Sequence, residues 1–378
     1  ETTIIDGGGL YQYNGAVVTF DGQNGYINST AVLSGFTIRN GNTGYGGGIY
    51  INYNASPTLT NLIIYGNTGS SGGGISITSG CNPILTNITI HGNTADAGGY
   101  GGGGIYIHDS SNPILTNLTI YGNTAGAGGG IYIFGGCNLI LTNSILWDNT
   151  LTDTTIVSEI LVISGSTITV NYSNVEGGED EIINYGTVNW GDGNVDIDPL
   201  FVDADNGDYH LSDLSPVISA ATSEVTIDGV TYTAPTTDIE GNPRPNPAGT
   251  SPDMGAYESD KGVDPNYAGP VWYVDGPAGV PYGNGGPGAP FTTIQAGIDA
   301  SSSGDTVSVK AGTYVENPDF SGKNIAVLGE NRETTIIDGD SSGSVVTFDS
   351  GEDSTTILDG FTIKNGTGTY FANLNSNV

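Results

Sequence analysis

NPILTNITIHGNTADAGGYGGGGIYIHDSSNPILTNLTIYGNTAGAGGGIYIFGGCN, residues 82–138, says nearly the same thing twice. NPILTN, GNTA and GGGIYI return in the same order. The same phases extend on both sides. Pro57, Pro83, Pro113 and Leu139 head equivalent segments, at spacings of 26, 30 and 26. Asn61, Asn87, Asn117 and Asn143 form one column and Asn67, Asn93, Asn123 and Asn149 a second. Ile49, Ile75, Ile105 and Ile131 form a third with the same spacings. The four extra residues of the long turn fall within ADAGGYGG (95–102), and every later column stays in phase. An insertion that preserves phase is a loop bulging from one corner of a coil.

A fixed period of this size is the signature of a solenoid. Two short strands alternate within each period. In GGGIYI the isoleucines point in and Tyr points out; in LTNITIH, Ile88 and Ile90 point in while Thr89 and His91 point out. Gly- and Asn-rich corners separate them, and no helix-length amphipathic pattern intervenes. The reading is an all-β parallel β-helix with coils of about 26 residues, stacked about 4.8 Å apart. The phrase GGGI followed by ITIxGNT, over residues 30–150, resembles the right-handed parallel β-helix families. It is similar to the GGAI and FxxN motifs of the polymorphic outer-membrane-protein repeats of chlamydiae, with Ile where Phe is usual. The resemblance implies a right-handed solenoid and a surface or adhesive role.

A longer echo sets the domain plan. ETTIIDG (1–7) returns at 333–339, VVTFD (17–21) at 345–349, and LSGFTIRNG (33–41) as LDGFTIKNG at 358–366. The offsets are 332, 328 and 325. SDKGVDPNYAGP (259–270) reads as a linker. Residues 1–258 are then the body and closing end of one β-helix, and 271–378 the cap and first coils of the next. TIQAGIDA is the one short helix, with Thr292 or Thr293 as its cap. The passage 289–317 resembles the start of pectate-lyase-like domains, which implies that this helix plugs the first coil. NVDIDPLFVDADNGDYHLSDLSPVI (194–218) and DMGAYE (253–258) resemble the closing segment of bacterial extracellular β-helix proteins with a variable C-terminal anchor. The chain opens on Glu1, expected of a mature or excised piece; an upstream domain or another subunit should cover the open first coil. Whether FANLNSNV (371–378) is a native ending is left open.

Composition narrows the partners. The formal net charge is −33, from 40 acidic against 7 basic residues, so neither nucleic acid nor an anionic membrane surface fits. No apolar run approaches a membrane span. Only six acids lie in 1–150 (Glu1, Asp6, Asp21, Asp96, Asp109 and Asp148), leaving 34 of the 40 beyond. Cys81 and Cys137 share a phase two coils apart, with Ser111 between. That separation is about 9–10 Å, beyond the roughly 7 Å limit of a disulfide, so two unpaired thiols are expected.

Catalysis on the coils would need a stacked carboxylate pair beside a base. The coils 30–150 hold only Asp96, Asp109 and Asp148, in different phases, with Arg39 as the one basic residue. No catalytic residue and no firm cofactor is assigned. Tyr65, His91, Tyr121 and Trp147 form an outer aromatic stripe, read as stability and packing ahead of sugar binding. His108 shares a column with Asn52, Thr78 and Phe134. The Asn columns are read as hydrogen-bond ladders, including Asn87 and Asn117 although both sit in N-x-T sequons. Asn28, Asn54, Asn171 and Asn365 are the loop-like glycosylation candidates. Calcium is expected, if anywhere, at Asp203, Asp205 and Asp208 in DADNGD. The functional reading is a non-enzymatic extracellular structural protein. It is one unit of a cell-surface fibre, filament, sheath or adhesin, associating end to end with neighbouring units. The alternative is a carbohydrate-binding or polysaccharide-cleaving β-helix, a lyase or hydrolase.

Overall fold

Strands whose alternate residues are Ile or Leu bury one face and need neighbours above and below for their backbone groups. Stacking each turn on the last meets both needs. The computed structural model describes residues 3–9, 16–95, 101–152, 158–213, 215–261, 267–276, 283–287 and 289–368. Most of the inserted loop at 95–102, part of the linker and the terminal FANLNSNV lie outside the described residues. The chain is a right-handed parallel β-solenoid of about 12 turns, set about 26 residues apart. It divides into two compact units, Glu1–Gly262 and Val263–Val378.

In the first unit each regular coil has three faces. The longest carries Thr58–Tyr65, Ile84–His91 and Ile114–Tyr121, all parallel and in register, Ile88 against Leu62 and Leu118. The shortest carries two-residue strands such as Thr68–Gly69 and Thr94–Ala95. The third carries Ile49–Asn52, Ile75–Ile77, Ile105–His108 and Ile131–Phe134. Ile49, Ile75, Ile105 and Ile131 pair in succession and are fully buried in one interior file. Asn61, Asn87 and Asn117 within the long strands, and Asn143 between Asn138–Thr142 and Ile145–Trp147, adopt φ of 54°, 51°, 56° and 52°. Asn tolerates this left-handed conformation, and the kink resets the alternation so that Leu85, Ile88 and Ile90 all face inward.

The Asn67, Asn93, Asn123 and Asn149 column is a continuous buried ladder. Asn93 Nδ2 donates to Asn123 Oδ1, and Asn123 Nδ2 to Asn149 Oδ1, each at 2.9 Å. Asn67 Nδ2 donates likewise to Asn93 Oδ1, and the backbone N–H groups of Asn67, Asn93 and Asn123 donate to Asn93, Asn123 and Asn149 Oδ1, so one side-chain oxygen serves two donors of its neighbour. The glycines of GGGI sit beside this ladder because nothing larger fits: a Cβ on Gly104 would lie 2.7 Å from Gly130 O and 3.3 Å from Asn123 Nδ2. Cys81 and Cys137 are buried free thiols, and the backbone N–H of Cys81 donates to Ser111 Oγ in the coil between. Burial pushes both thiols up to about 11.

Residues 199–258 do not simply follow the last coil. They fold back as a strap over the outside of the long face. Outward-pointing Thr89, Thr119 and Ile145 are consequently buried to within 1%. Ala256 N–H donates to Thr119 Oγ1 and Gly255 N–H to Asn143 O. Asn87 Nδ2 donates to Thr237 O at 2.8 Å, and Asn143 Nδ2 to Thr222 O at 2.8 Å.

In the second unit, Val271–Val274, Thr306–Val309, Ala326–Gly329 and Ile357–Asp359 form one parallel sheet. The helix α1, Ile294–Ala300, starts on Thr293, whose side chain accepts from Ala296 N–H. Gly297 permits close approach, since a Cβ there would meet Val307 Cγ1 at 2.7 Å. Glu316 accepts the first helical N–H groups, those of Ile294 and Gln295, and Lys323 Nζ donates to the last carbonyls, those of Ile298 and Asp299. No helix among the described residues is long and apolar enough to cross a membrane.

Candidate functional site

The strap is held by one buried cation. Arg244 Nε meets Glu258 Oε2 at 2.9 Å, both side chains fully buried. Its Nη2 donates to Gly255 O at 3.1 Å and its Nη1 to Asn87 Oδ1 at 3.5 Å, joining strap to coil. Buried Asp238 and Asp253 stand around it. Asp238 accepts from the N–H groups of Glu240, Asn242 and Glu258; Asp253 accepts from those of Ser219 and Ser259, each at 2.7 Å. Burial, then the neighbouring Glu258, raises the Asp253 carboxyl well above the ordinary carboxylate range against those bonds.

Under the strap the aromatic stripe is in register, with Arg39, Tyr65, His91, Tyr121 and Trp147 paired coil to coil. At His91 and Tyr121 it is not a free outer face. Tyr65 stacks on His91 at 5.0 Å, but Tyr209 from the strap lies 4.9 Å from His91 and 5.1 Å from Tyr121. Phe201 meets Tyr121 edge-on at 5.8 Å. Burial holds His91 down to about 4, so it is neutral at pH 7. Beside this contact opens a cleft of about 490 Å3, lined by His91, Tyr121, Asp148, Asp205, Asn206 and Tyr209 with neighbouring backbone. Burial first, then the carboxylates of Asp148, Asp205 and Glu176, push the Tyr121 phenol up to about 12.

The asparagine ladder ends next to the cleft. Asn149 N–H donates to Glu159 Oε1 at 2.9 Å, and Asn149 Nδ2 to Glu159 Oε2 at 2.5 Å. Two column breaks foreshadow this. Glu159 stands in the GGGI phase where Gly130 stands one coil earlier, and Gly178 stands where the next Asn is due. Glu159 supplies the missing acceptor. Burial pushes its carboxyl well above the usual range, with Glu176 adding to the rise. A proton-binding group strengthened in the folded state stabilises most at low pH, and that contribution drains away as pH climbs past the ordinary 4.5 towards the raised value. Glu159→Gln keeps the shape, and its single carbonyl can accept both donors as Asn149 does for Asn123. The variant is expected to melt at or above the parent on the alkaline side, with a midpoint that falls less steeply as pH rises above 4.5. Parallel melting curves across that range would mean that Glu159 is ionised throughout.

The remaining expectations fare unevenly. Asp203, Asp205 and Asp208 do not form a ligand set. Asp203 accepts from Asn206 Nδ2 and Asp208 from the His210 ring, so two of the three carboxylates are turned to neighbours of their own turn. Among the described residues no group of three or more His, Cys, Asp or Glu could hold a metal ion. Asn171 is not loop-like: it ends the strand Thr167–Asn171 and is 7% exposed. Asn28 holds an Asx turn with Thr30, while Asn54 and Asn365 are exposed with left-handed backbone. The Asn61–Asn143 column is a partial ladder, with Asn87 Nδ2 donating to Asn61 Oδ1 at 3.1 Å. Asn117 turns both of its donor bonds to the strap, on Asp253 O and Gly255 O. His108 stacks on Phe134 at 5.0 Å. Sequence reading missed Arg244, Glu258 and Glu159. The spacing of D-x-x-G-x-x-R (238–244) before D-x-G-A-x-E (253–258) was the available signal for the first two.

The family model of the right handed beta helix region matches residues 6–199, the stretch that forms the regular coils of the first unit. Among curated proteins none matches the chain. The family includes pectate lyases and hydrolases as well as proteins without enzymatic activity.

Proposed function

Because the chain belongs to the right-handed β-helix family, we propose that it is a non-enzymatic structural module of an extracellular tandem array, completed end to end by copies of itself. The observation that carries this reading is that the second unit rebuilds the first coils of the first. Ile336, Ile337 and Asp338 pair with Thr362, Ile363 and Lys364. Ile4, Ile5 and Asp6 pair with Thr37, Ile38 and Arg39 in the identical register. The corner ion pair recurs, Asp6 with Arg39 at 2.9 Å and Asp338 with Lys364 at 3.1 Å. Asn40 and Asn365 donate to those same aspartates.

The two copies differ in what covers them. Thr335–Asp338 pairs with Gly312–Val315 on its upstream side, and Ile337 is fully buried. Thr3–Asp6 has no such partner among the described residues, and Ile5, the counterpart of Ile337, is only half-buried. At the other end Ile38 is fully buried beneath a following coil, whereas Ile363 is 50% exposed. In the array proposed here, strand addition at these matching parallel edges joins one unit to the next. The net charge of −33 makes side-by-side association of such arrays depend on cations.

The test is a permuted chain in which residues 263–332 precede residues 1–262. It places the capped coils directly upstream of Thr3–Asp6. Amide exchange at Thr3–Asp6 is expected to slow, and a head-to-tail dimer of the permuted chain to form rods lengthened by about 4.8 Å per added coil in electron micrographs. Unchanged exchange at Thr3–Asp6, or round particles from the dimer, would defeat the reading.

A further inference from the structure

The cleft between the aromatic column and the strap has an uncommon combination of linings. Its floor is ring: Tyr209 is 3% exposed, with Tyr121 and His91 half-buried beside it. Its rim is acid: Asp148 and Asp205 are exposed and flank the rings. Among the described residues neither carboxylate pairs with a Lys, Arg or His side chain. His91 supplies no charge because it is neutral at pH 7. Negative charge thus stands over polarisable rings with no counter-ion from the chain itself.

We propose that this cleft is a binding site for a protonated aliphatic amine, carried by a polyamine or by a lysine side chain. An ammonium group satisfies both linings at once. Its N–H groups donate to Asp148 and Asp205 in charge-assisted bonds. Its charge is attracted to the tyrosine rings, and its methylene stem lies against them as Lys stems do on apolar surface. A sugar acid would meet the rim with like charge and be repelled. A neutral hexose would stack without using the carboxylates. The Gly92 and Gly122 corners keep the entrance open, because no side chain projects from either. The proposal stands independently of the tandem-array reading, since it uses only the first unit.

Isothermal titration of the full chain with spermidine, with Nα-acetyl-lysine methylamide and with glucose tests it. Both amines are expected to bind at one saturable site and glucose not to bind. The Asp148→Asn/Asp205→Asn double variant should weaken the amines roughly tenfold, the scale for losing two partly exposed ion pairs. The Asp340→Asn/Asp349→Asn variant, which removes the same charge from the second unit, should leave binding unchanged. Spermidine binding without the lysine derivative keeps the site and assigns it to free polyamines. Equal weakening by both double variants would show diffuse attraction to a protein of charge −33 and overturn the proposal. Glucose binding as tightly as the amines would overturn it too.

Discussion

Arg244→Ala is expected to release the strap of residues 199–258 from the coils. Among the described residues Arg244 is the one cation beside three buried carboxyl groups: it pairs with Glu258, with Asp238 and Asp253 next to it. Removing one partner of a buried pair leaves the other charge uncompensated, which typically costs about 3–5 kcal/mol. Here it also removes the bonds to Gly255 O and Asn87 Oδ1. Limited proteolysis should cut the variant within 199–258 well before the parent, while the coils stay resistant. Arg244→Lys should recover little, because an ammonium cannot span Glu258 and Gly255 as the planar fork does. Arg244→Met combined with Glu258→Gln should recover more than either change alone, since the charge imbalance falls. A strap that stays protected in Arg244→Ala would show that the aromatic contacts of Tyr209 and Phe201 with His91 and Tyr121 suffice by themselves.

Asn123→Ala is the second large effect. Asn123 Nδ2 donates to Ile90 O, Tyr121 O and Asn149 Oδ1, and its Oδ1 accepts both N–H donors of Asn93. The position is fully buried, away from bulk solvent. Each orphaned buried group costs about 1–3 kcal/mol, so a loss of about 4 kcal/mol or more is expected in chemical denaturation. Neighbours should open first, since turns of a solenoid depend on adjacent turns. Exchange at Ile88–His91 and Ile145–Trp147 should rise before exchange at Thr187–Trp190. A uniform rise over the whole first unit would mean that it unfolds as one block.

The period was legible because stacking forces it. Ile75, Ile105 and Ile131 meet one another, so each column repeats one solution to one packing problem. The helix α1 was legible because its cap and its Gly and Ala content are local. The strap was not. Its anchor pairs Arg244 with Asn87, 157 residues apart, and no periodicity connects them. The aromatic stripe was placed in the right column and given the wrong neighbour for that reason: outwardness can be read from alternation, but cover cannot. The DADNGD turn shows how far donor content can be read and how far direction cannot. DADNGD has the right donors, yet Asp203 and Asp208 bond within their own turn. Glu159 is the intermediate case, visible as a paired departure from the Gly and Asn columns once both are aligned.

The fold-back of residues 199–258 also decides how the first unit carries tension. The chain leaves this unit at about residue 258, where Gly255 and Ala256 are tied to Asn143 and Thr119 in the middle of the stack. A pull between the first coil and that exit runs through the coils up to Asn143 and leaves the turns built from 158–195 off the line of force. Those later turns can be soft or irregular without weakening the unit as a link. The strap's bonds to successive coils are loaded together in shear, a geometry that resists rupture better than peeling one strand at a time.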